Sequence, residues 1–285
     1  MMFDSFKDSW KIKIIETGTF KLDGGAMMGS VPKVLWNKTN PADKLNRINL
    51  SMRCLLLDNG KDIILIETGI GNKNTQKFID MFAINQNKFP LKNELLINGY
   101  KLSDITHVIL THLHFDHAGG ATYFNGKKNC LTFPNAEYII SKSNWDAGIN
   151  PSPRDRASYL SENYLPILEA NQLRLVEDDD NILESIEGIS CYGHTDGQQL
   201  IKVISKNDTL IFCSDLIPLK SHLRLPWIMG YDLNASKTLQ EKKIFLEEAA
   251  KKKWLLFFYH DPKVAAVRIK KNKKYYEIIE EYSAK

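Results

Sequence analysis

Three histidines and an aspartate fall within six residues, at His112, His114, Asp116 and His117 of the run Thr111-His112-Leu113-His114-Phe115-Asp116-His117-Ala118-Gly119-Gly120. The chain holds only seven histidines in all, so the clustering is a strong bias. Imidazole nitrogen and carboxylate oxygen are the preferred donors for borderline cations such as Zn²⁺, Mn²⁺ or Fe²⁺. His112 and His114 stand two residues apart, so on an extended segment they point the same way and can share one ion. Asp116 and His117 follow at a turn, where the chain can address a second ion. The bland alternative is a surface tract with incidental metal affinity, and this spacing argues against it.

A metal held by two histidines needs at least one more protein ligand and an open position for water. Later residues of the right type stand where they can supply it. His194 lies in the glycine-flanked turn Tyr192-Gly193-His194-Thr195-Asp196-Gly197. Asp215 closes the apolar run 209–214, and His260 closes the apolar run 254–259 before Asp261-Pro262 ends it. Taken singly, each reads more readily as a capping or hydrogen-bonded residue at a strand end. As a set that follows the first motif, they read as one constellation. Thr111, Thr195 and Asp261 adjoin it, either as partners for imidazole N–H groups or as local backbone caps.

The elements that must carry these residues can be read from periodicity. Residues 11–15, 50–57 and 62–67 alternate or run apolar at strand length, with Asn59-Gly60 as a hairpin turn. A glycine-rich loop follows at 66–71, from which Glu67 can meet the site from behind. Residues 74–84 suit a helix, and 102–107 lead into the apolar strand 108–110 that delivers the first motif. Residues 136–140 read as a strand, 199–204 and 209–212 as a strand pair, and 234–253 as an amphipathic helix with Thr238 to Glu241 as a capping box. The basic run 270–274 reads as the tip of a hairpin between 264–269 and 275–279. Strands and helices in both halves suit a pair of sheets with helices outside.

In residue type and chain order the pattern resembles the metallo-β-lactamase-fold hydrolases, over nearly the whole chain. The resemblance implies an α/β fold, the αβ/βα four-layer sandwich of two central mixed sheets with helices outside, formed by residues 1–285 as a single domain. It implies that His112, His114 and His194 hold one metal, that Asp116, His117 and His260 hold the other, and that Asp215 bridges them. The stretch Gly24-Gly25-Ala26-Met27-Met28-Gly29 to Pro32–Trp36 and the His260-Asp261-Pro262 ending are similar to the quorum-quenching lactonase and methyl parathion hydrolase-like branch. Two divalent ions about 3.5–4 Å apart share a water and lower its pKa toward neutrality, so a bridging hydroxide attacks a carbonyl or phosphoryl centre. Zn is the first expectation for the ions, with Mn, Fe or Co as alternatives. Asp116 is expected to act catalytically as well, orienting the hydroxide or passing a proton to the leaving group.

One departure bears on substrate. Where the lactonases place a Tyr three residues after the bridging Asp, this chain has Pro218. His222, seven residues past Asp215, is the candidate to replace it as a donor to the developing oxyanion. Cys213 is read as a buried core cysteine.

Composition narrows the function classes. With 285 residues and 43% hydrophobic content the chain can bury a large core, and its four dispersed cysteines suit reduced thiols. The N-terminus from Met1 to Asp8 is mixed in charge, unlike a signal peptide, and no apolar stretch approaches about 20 residues. A cytoplasmic location without membrane attachment is expected. A net charge of +4, interleaved with acids, gives no nucleic-acid surface. The partner is a small molecule, and the apolar N-terminal loop is compatible with a homodimer. Candidate pocket walls are Met27, Met28 and Trp36 in loop 26–36, Phe115 within the first motif, Trp145 in the long segment 145–164, and Trp227 in loop 225–229.

The reading is therefore a metal-dependent hydrolase of a small hydrophobic lactone or ester. A phosphotriesterase is the alternative in the same class, and a single-iron persulfide dioxygenase-like oxidoreductase the alternative in another. A nuclease of this fold is expected to carry a further domain, and a glutathione thiolester hydrolase a further C-terminal helical region. Only 25 residues follow His260.

Overall fold

The computed structural model describes residues 2–273 and 275–284. Its N-terminal half supplies β1 (Lys11–Asp23), β2 (Arg47–Asp58), β3 (Ile63–Ile66), β4 (His107–Ile109), β5 (Thr122–Phe124), β6 (Asn129–Leu131), β7 (Glu137–Ser141) and β8 (Leu173–Val176). The C-terminal half supplies β9 (Asn181–Leu183), β10 (Ile186–Cys191), β11 (Gln198–Ile204), β12 (Thr209–Phe212), β13 (Leu255–Phe257), β14 (Val264–Asn272) and β15 (Tyr275–Ser283). The helices are α1 (Gly24–Met28), α2 (Lys33–Trp36), α3 (Gln76–Phe82), α4 (Pro90–Ile97), α5 (Phe115–Ala118), α6 (Lys142–Ile149), α7 (Leu165–Glu169) and α8 (Ala235–Lys252).

Strands order as β1-β2-β3-β4-β7-β8 in one sheet and β15-β14-β13-β12-β11-β10-β9 in the other, while β5 and β6 pair apart. Both large sheets are mixed: β3, β4, β7 and β8 run parallel, as do β12 and β13, and the remaining pairs are antiparallel. The apolar runs explain themselves in this setting. Leu210, Phe212, Leu255 and Phe257 face the core between the sheets, whereas Ile211, Leu256 and Phe258 face a second core under α8, with Phe245, Leu246 and Ala249. A strand covered on both faces needs apolar residues at every position rather than at alternate ones. With helices outside both sheets, this is the expected four-layer α/β sandwich.

The sheets meet at one edge through backbone bonds from Ser51 N to His260 O (3.0 Å), Arg53 N to Tyr259 O (3.2 Å) and Gln199 N to Thr111 O (2.9 Å). Arg53 is buried there, and its guanidinium donates to Glu16 and to the Phe258 and Asp261 carbonyls. The candidate site residues sit at that edge.

Several local expectations need correction. The α8 N-cap is Asn234, whose side chain accepts from Lys237 N. Glu241, assigned to a capping box, instead accepts the backbone N–H groups of Tyr192 and Gly193. Segment 26–36 is helical in two single turns, too short to show a helical period in sequence. Gly24 lets Trp36 close on it, because a Cβ there would lie 2.5 Å from the indole. The β14–β15 hairpin forms as expected, although Met1 and, within its basic tip, Lys274 lie outside the described residues. Among the described residues no helix is long and apolar enough to cross a membrane.

Candidate metal centre and active site

The first motif leaves β4 as an extended segment and ends in α5. His112 and His114 therefore keep their common direction, with rings edge-to-face at 4.5 Å, and α5 then swings Asp116 and His117 round. Asn144 at the start of α6 accepts from Leu113 N at 2.8 Å and fixes the extended part. Behind the helix, Thr68 donates twice to the His117 carbonyl, from N at 3.0 Å and from Oγ1 at 2.8 Å.

The other three residues arrive from the second sheet. His194 comes from the turn after β10, Asp215 from a tight turn after β12, and His260 from just beyond β13. Ser214 takes φ +45°, a left-handed conformation unfavourable for a side chain and characteristic of positions held for function. All seven side chains are buried. Ligand atoms of His112, His114 and His194 lie within 4.8 Å of one another, as do those of Asp116, His117 and His260. Asp215 faces both groups. Its Oδ2 is 3.3 Å from His194 Nε2, and its Oδ1 is 3.3 Å from His260 Nε2 and 3.4 Å from His117 Nε2.

The donor set fits divalent cations. Ring nitrogens confront each other across His194 Nε2 and His114 Nδ1 (3.2 Å) and across His260 Nε2 and His117 Nε2 (3.3 Å). His112 Nε2, His114 Nε2 and Asp215 Oδ1 are buried without a hydrogen-bond partner. Such orphaned lone pairs are costly unless a cation satisfies them. Electrostatics agree. Burial and the neighbouring imidazoles hold His112 and His114 well below the ordinary histidine range. Burial opposes charge on His117 too, yet Asp215, Asp116 and Glu67 together hold it well above that range. Against its own burial, Asp215 is held well below the carboxylate range by His117 and His260. The cluster thus attracts positive charge at the point where its lone pairs meet.

Outer partners fix the imidazoles. His260 Nδ1 donates to Ser51 O at 2.9 Å, which turns Nε2 inward as the lone-pair nitrogen. Thr111 Oγ1 lies 3.0 Å from His112 Nδ1 and also bonds Glu67, whose Oε1 is 3.3 Å from His117 Nδ1. Glu67, itself at φ +67°, therefore orients the histidines from behind. The sequence reading missed Asp232, whose Oδ1 is 2.9 Å from His194 Nδ1. Its only signal is a lone carboxylate among apolar loop residues. Asp232→Ala is expected to weaken metal affinity at the His194 group by about 10–100-fold, measured by chelator competition. Unchanged affinity would remove Asp232 from the site.

Other expectations are corrected. Thr195 pairs with the Tyr159 hydroxyl at 2.5 Å rather than with an imidazole, and Tyr159 packs its ring against His114 at 4.9 Å. Asp261, by contrast, takes the second of its two expected roles and caps the backbone N–H groups of Lys220, Lys263 and Val264. His222 is buried, not a pocket donor. Its Nε2 donates to Met27 O at 2.9 Å, which leaves Nδ1 as a bare acceptor. Burial, then the charge of Lys242, push His222 down to about 3. Between about 3 and 6.5 the unfolded chain binds a proton there that the folded chain refuses. This group's stability is therefore present above about 6.5 and is lost as the pH falls, by about 1.4 kcal/mol per pH unit. Urea unfolding of His222→Gln should show a pH slope shallower by about one proton over that window. A parallel slope would contradict the neutral, buried assignment.

Of the candidate pocket walls, Met27, Met28 and Trp36 are sealed in the core, each at most 1% exposed, where no substrate reaches them. Trp145 packs edge-to-face on Tyr164 at 5.7 Å, and Trp227 lines a different cavity, which none of the seven residues borders. Of these walls only Phe115 adjoins the candidate ligands, standing between His114 and Asp116 in the chain. Its ring meets Phe78 at 5.2 Å and Phe82 at 5.3 Å, two residues of α3 that the sequence reading passed over. Tyr231 stands on the Asp116 side. Burial and the charges of Asp23 and Asp116 push its phenol up to about 12.

This fold and site define a member of the metallo-β-lactamase superfamily, whose family signature matches residues 52–260, and the chain belongs to that family and carries candidate metal-binding groups. It is 30% identical over 175 residues to an N-acyl homoserine lactonase of Bacillus cereus, covering 58% of this chain and 63% of that one. It is 27% identical over 161 residues to an N-acyl homoserine lactonase of Bacillus thuringiensis, covering 53% and 58%. The chain thus matches less than two thirds of these relatives' lengths. A probable metal-dependent hydrolase from Staphylococcus aureus superposes with a TM-score of 0.89 at 28% identity, covering 97% of each chain. AidC, a dizinc quorum-quenching lactonase, shares the fold with a TM-score of 0.79 at 24% identity, covering 96% and 95%.

Proposed function

We propose that this chain is a dinuclear, zinc-dependent hydrolase of small lactones or esters with an apolar tail, N-acyl homoserine lactones foremost. The observation that carries the reading is the Phe78–Phe82–Phe115 cluster, whose Phe115 stands in the chain between the candidate ligands His114 and Asp116. An apolar wall beside a polar centre selects substrates with a hydrocarbon body and a single reactive group. The lactonase names of the Bacillus relatives support the same class.

When bound, the two ions supply an activated water and polarise the oxygen on which charge develops. The chain's residues do the rest. His112, His114 and His194 would hold one ion, Asp116, His117 and His260 the other, and Asp215 both. Asp116 Oδ2, 3.6 Å from His260 Nε2, belongs to a carboxylate placed to carry a proton to the departing alkoxide. The sum is one water added across the acyl–oxygen bond, giving a carboxylic acid and an alcohol, joined in one molecule when the substrate is a lactone. Pro218 favours the second reading, a phosphotriesterase. No phenol stands at that position to hold a carbonyl, and the Pro218 carbonyl itself accepts from His260 N at 3.3 Å. Four free cysteines, three of them buried, support a reducing, cytoplasmic compartment.

The test is proton release from homoserine lactones of increasing acyl length, with zinc-loaded and chelator-stripped protein. Metal-dependent turnover that rises with acyl length is expected. Phe82→Ala should lower the preference for the long chain by about tenfold while leaving a short-chain lactone nearly unaffected. Absence of lactone turnover with two metals bound overturns the lactonase reading, and turnover of an aryl phosphotriester then establishes the second.

A further inference from the structure

A wide cavity lies away from the metal centre. About 700 Å³ opens between the β14–β15 hairpin, the segment 220–227 and residues 39–41 and 48–49 ahead of and within β2. Buried Leu223, Trp227 and Val264 form its apolar floor, and exposed Arg224 and Lys263 stand on its rim. Neither cation has a carboxylate partner among the described residues. The acids nearby are committed elsewhere. Asp261 accepts three backbone N–H groups, and Glu281 pairs with Lys220 at 3.0 Å.

The floor is also braced. Lys242 of α8 is buried, and its Nζ donates to Arg224 O at 2.9 Å and to Trp227 O at 2.5 Å. The Arg224 guanidinium lies over the Trp227 ring, 4.6 Å from its centroid. A stacked guanidinium on a braced backbone has lost most of its freedom before any ligand arrives, so less entropy opposes binding. A neutral ligand would leave both charges unmatched, and a cation would be repelled.

We propose that this cavity is a second ligand site, separate from the metal centre, for a small amphipathic carboxylate. Its apolar body lies on Trp227, Leu223 and Val264, and its carboxylate is held by Arg224 and Lys263. A volume of about 300–1,000 Å³ is the ordinary size for a small-molecule site. The proposal does not depend on which substrate the metal centre hydrolyses.

The test is titration of sodium octanoate into the metal-loaded full chain, followed by calorimetry and by tryptophan fluorescence. Saturable binding with a Kd below about 1 mM is expected, with the fluorescence change lost in Trp227→Phe. The Arg224→Gln/Lys263→Gln double variant, altered only at exposed positions, should bind at least about tenfold more weakly, and 1-octanol and octylammonium likewise. Chelator-stripped protein should bind octanoate as before. The proposal is overturned if no saturation occurs, if the double variant binds normally, or if stripping the metal abolishes binding, since the carboxylate would then sit on the metal.

Discussion

On the proposed two-ion hydrolase reading, Asp215→Asn is expected to reduce bound metal from two ions per chain to one or fewer, and to cut hydrolytic turnover by about 10²–10³-fold or more. Asp215 faces both groups from the front, at 3.3 Å from His194 on one side and from His260 on the other. The amide keeps the shape of the carboxylate but lacks its charge, and one of its two atoms becomes an N–H donor. Whichever way it turns, one group of histidines loses a ligand and meets a hydrogen instead. Without the carboxylate's negative charge the site also attracts a divalent cation less strongly. Elemental analysis of purified protein and proton release at saturating zinc read the two effects separately. Full metal content with activity within about threefold of the parent would show that Asp215 does not join the two groups.

The second large effect is on stability. Gly120→Ala is expected to cost about 3 kcal/mol or more and to lower the melting temperature by about 6–12 °C. A Cβ at Gly120 would lie 2.1 Å from the Thr68 carbonyl oxygen and 2.8 Å from Leu91 Cδ1. The carbonyl belongs to a backbone that cannot move freely. Thr68 bonds the His117 carbonyl twice, and Gly120 N donates to Gly69 O at 3.0 Å. Gly120 is therefore required by close approach of two chain segments, and forcing them apart moves α5. Metal binding at the Asp116, His117 and His260 group should fall with the melting temperature. Gly126→Ala is the comparison, because its Cβ meets nothing within 4 Å and only its φ of +93° is strained. Differential scanning calorimetry that gave both variants the same small shift would refute the packing account.

Much of the architecture is legible in the sequence because it depends on local pattern. The doubly apolar runs 209–212 and 254–259 mark strands buried on both faces, and Asn59-Gly60 marks a hairpin whose Asn59 side chain caps the following turn. The seven residues gathered at the sheet edge are legible for a related reason. Each is a polar group standing at the end of an apolar strand or in a tight turn, a position that packing alone does not explain. α1 and α2 were invisible because one turn of helix leaves no period to read.

Walls and partners follow a different rule. A core methionine and a pocket methionine are the same residue in sequence, so Met28 and Trp36 could be told from Phe115 only by where the sheets enclosed them. Phe78 and Phe82 gained their meaning by meeting Phe115 across the fold, as Tyr159 did by meeting His114. His222 is an available donor in sequence, yet its N–H donates to the Met27 carbonyl, 195 residues away. Asp232 reaches His194 across 38 residues. Residue type and strand-end placement thus determined the chemistry available to this chain, because ligand identity and periodicity are local properties. Tertiary structure decided which groups orient, shield and bound that chemistry, because a hydrogen bond or a ring contact exists only when both partners have been brought to the same place.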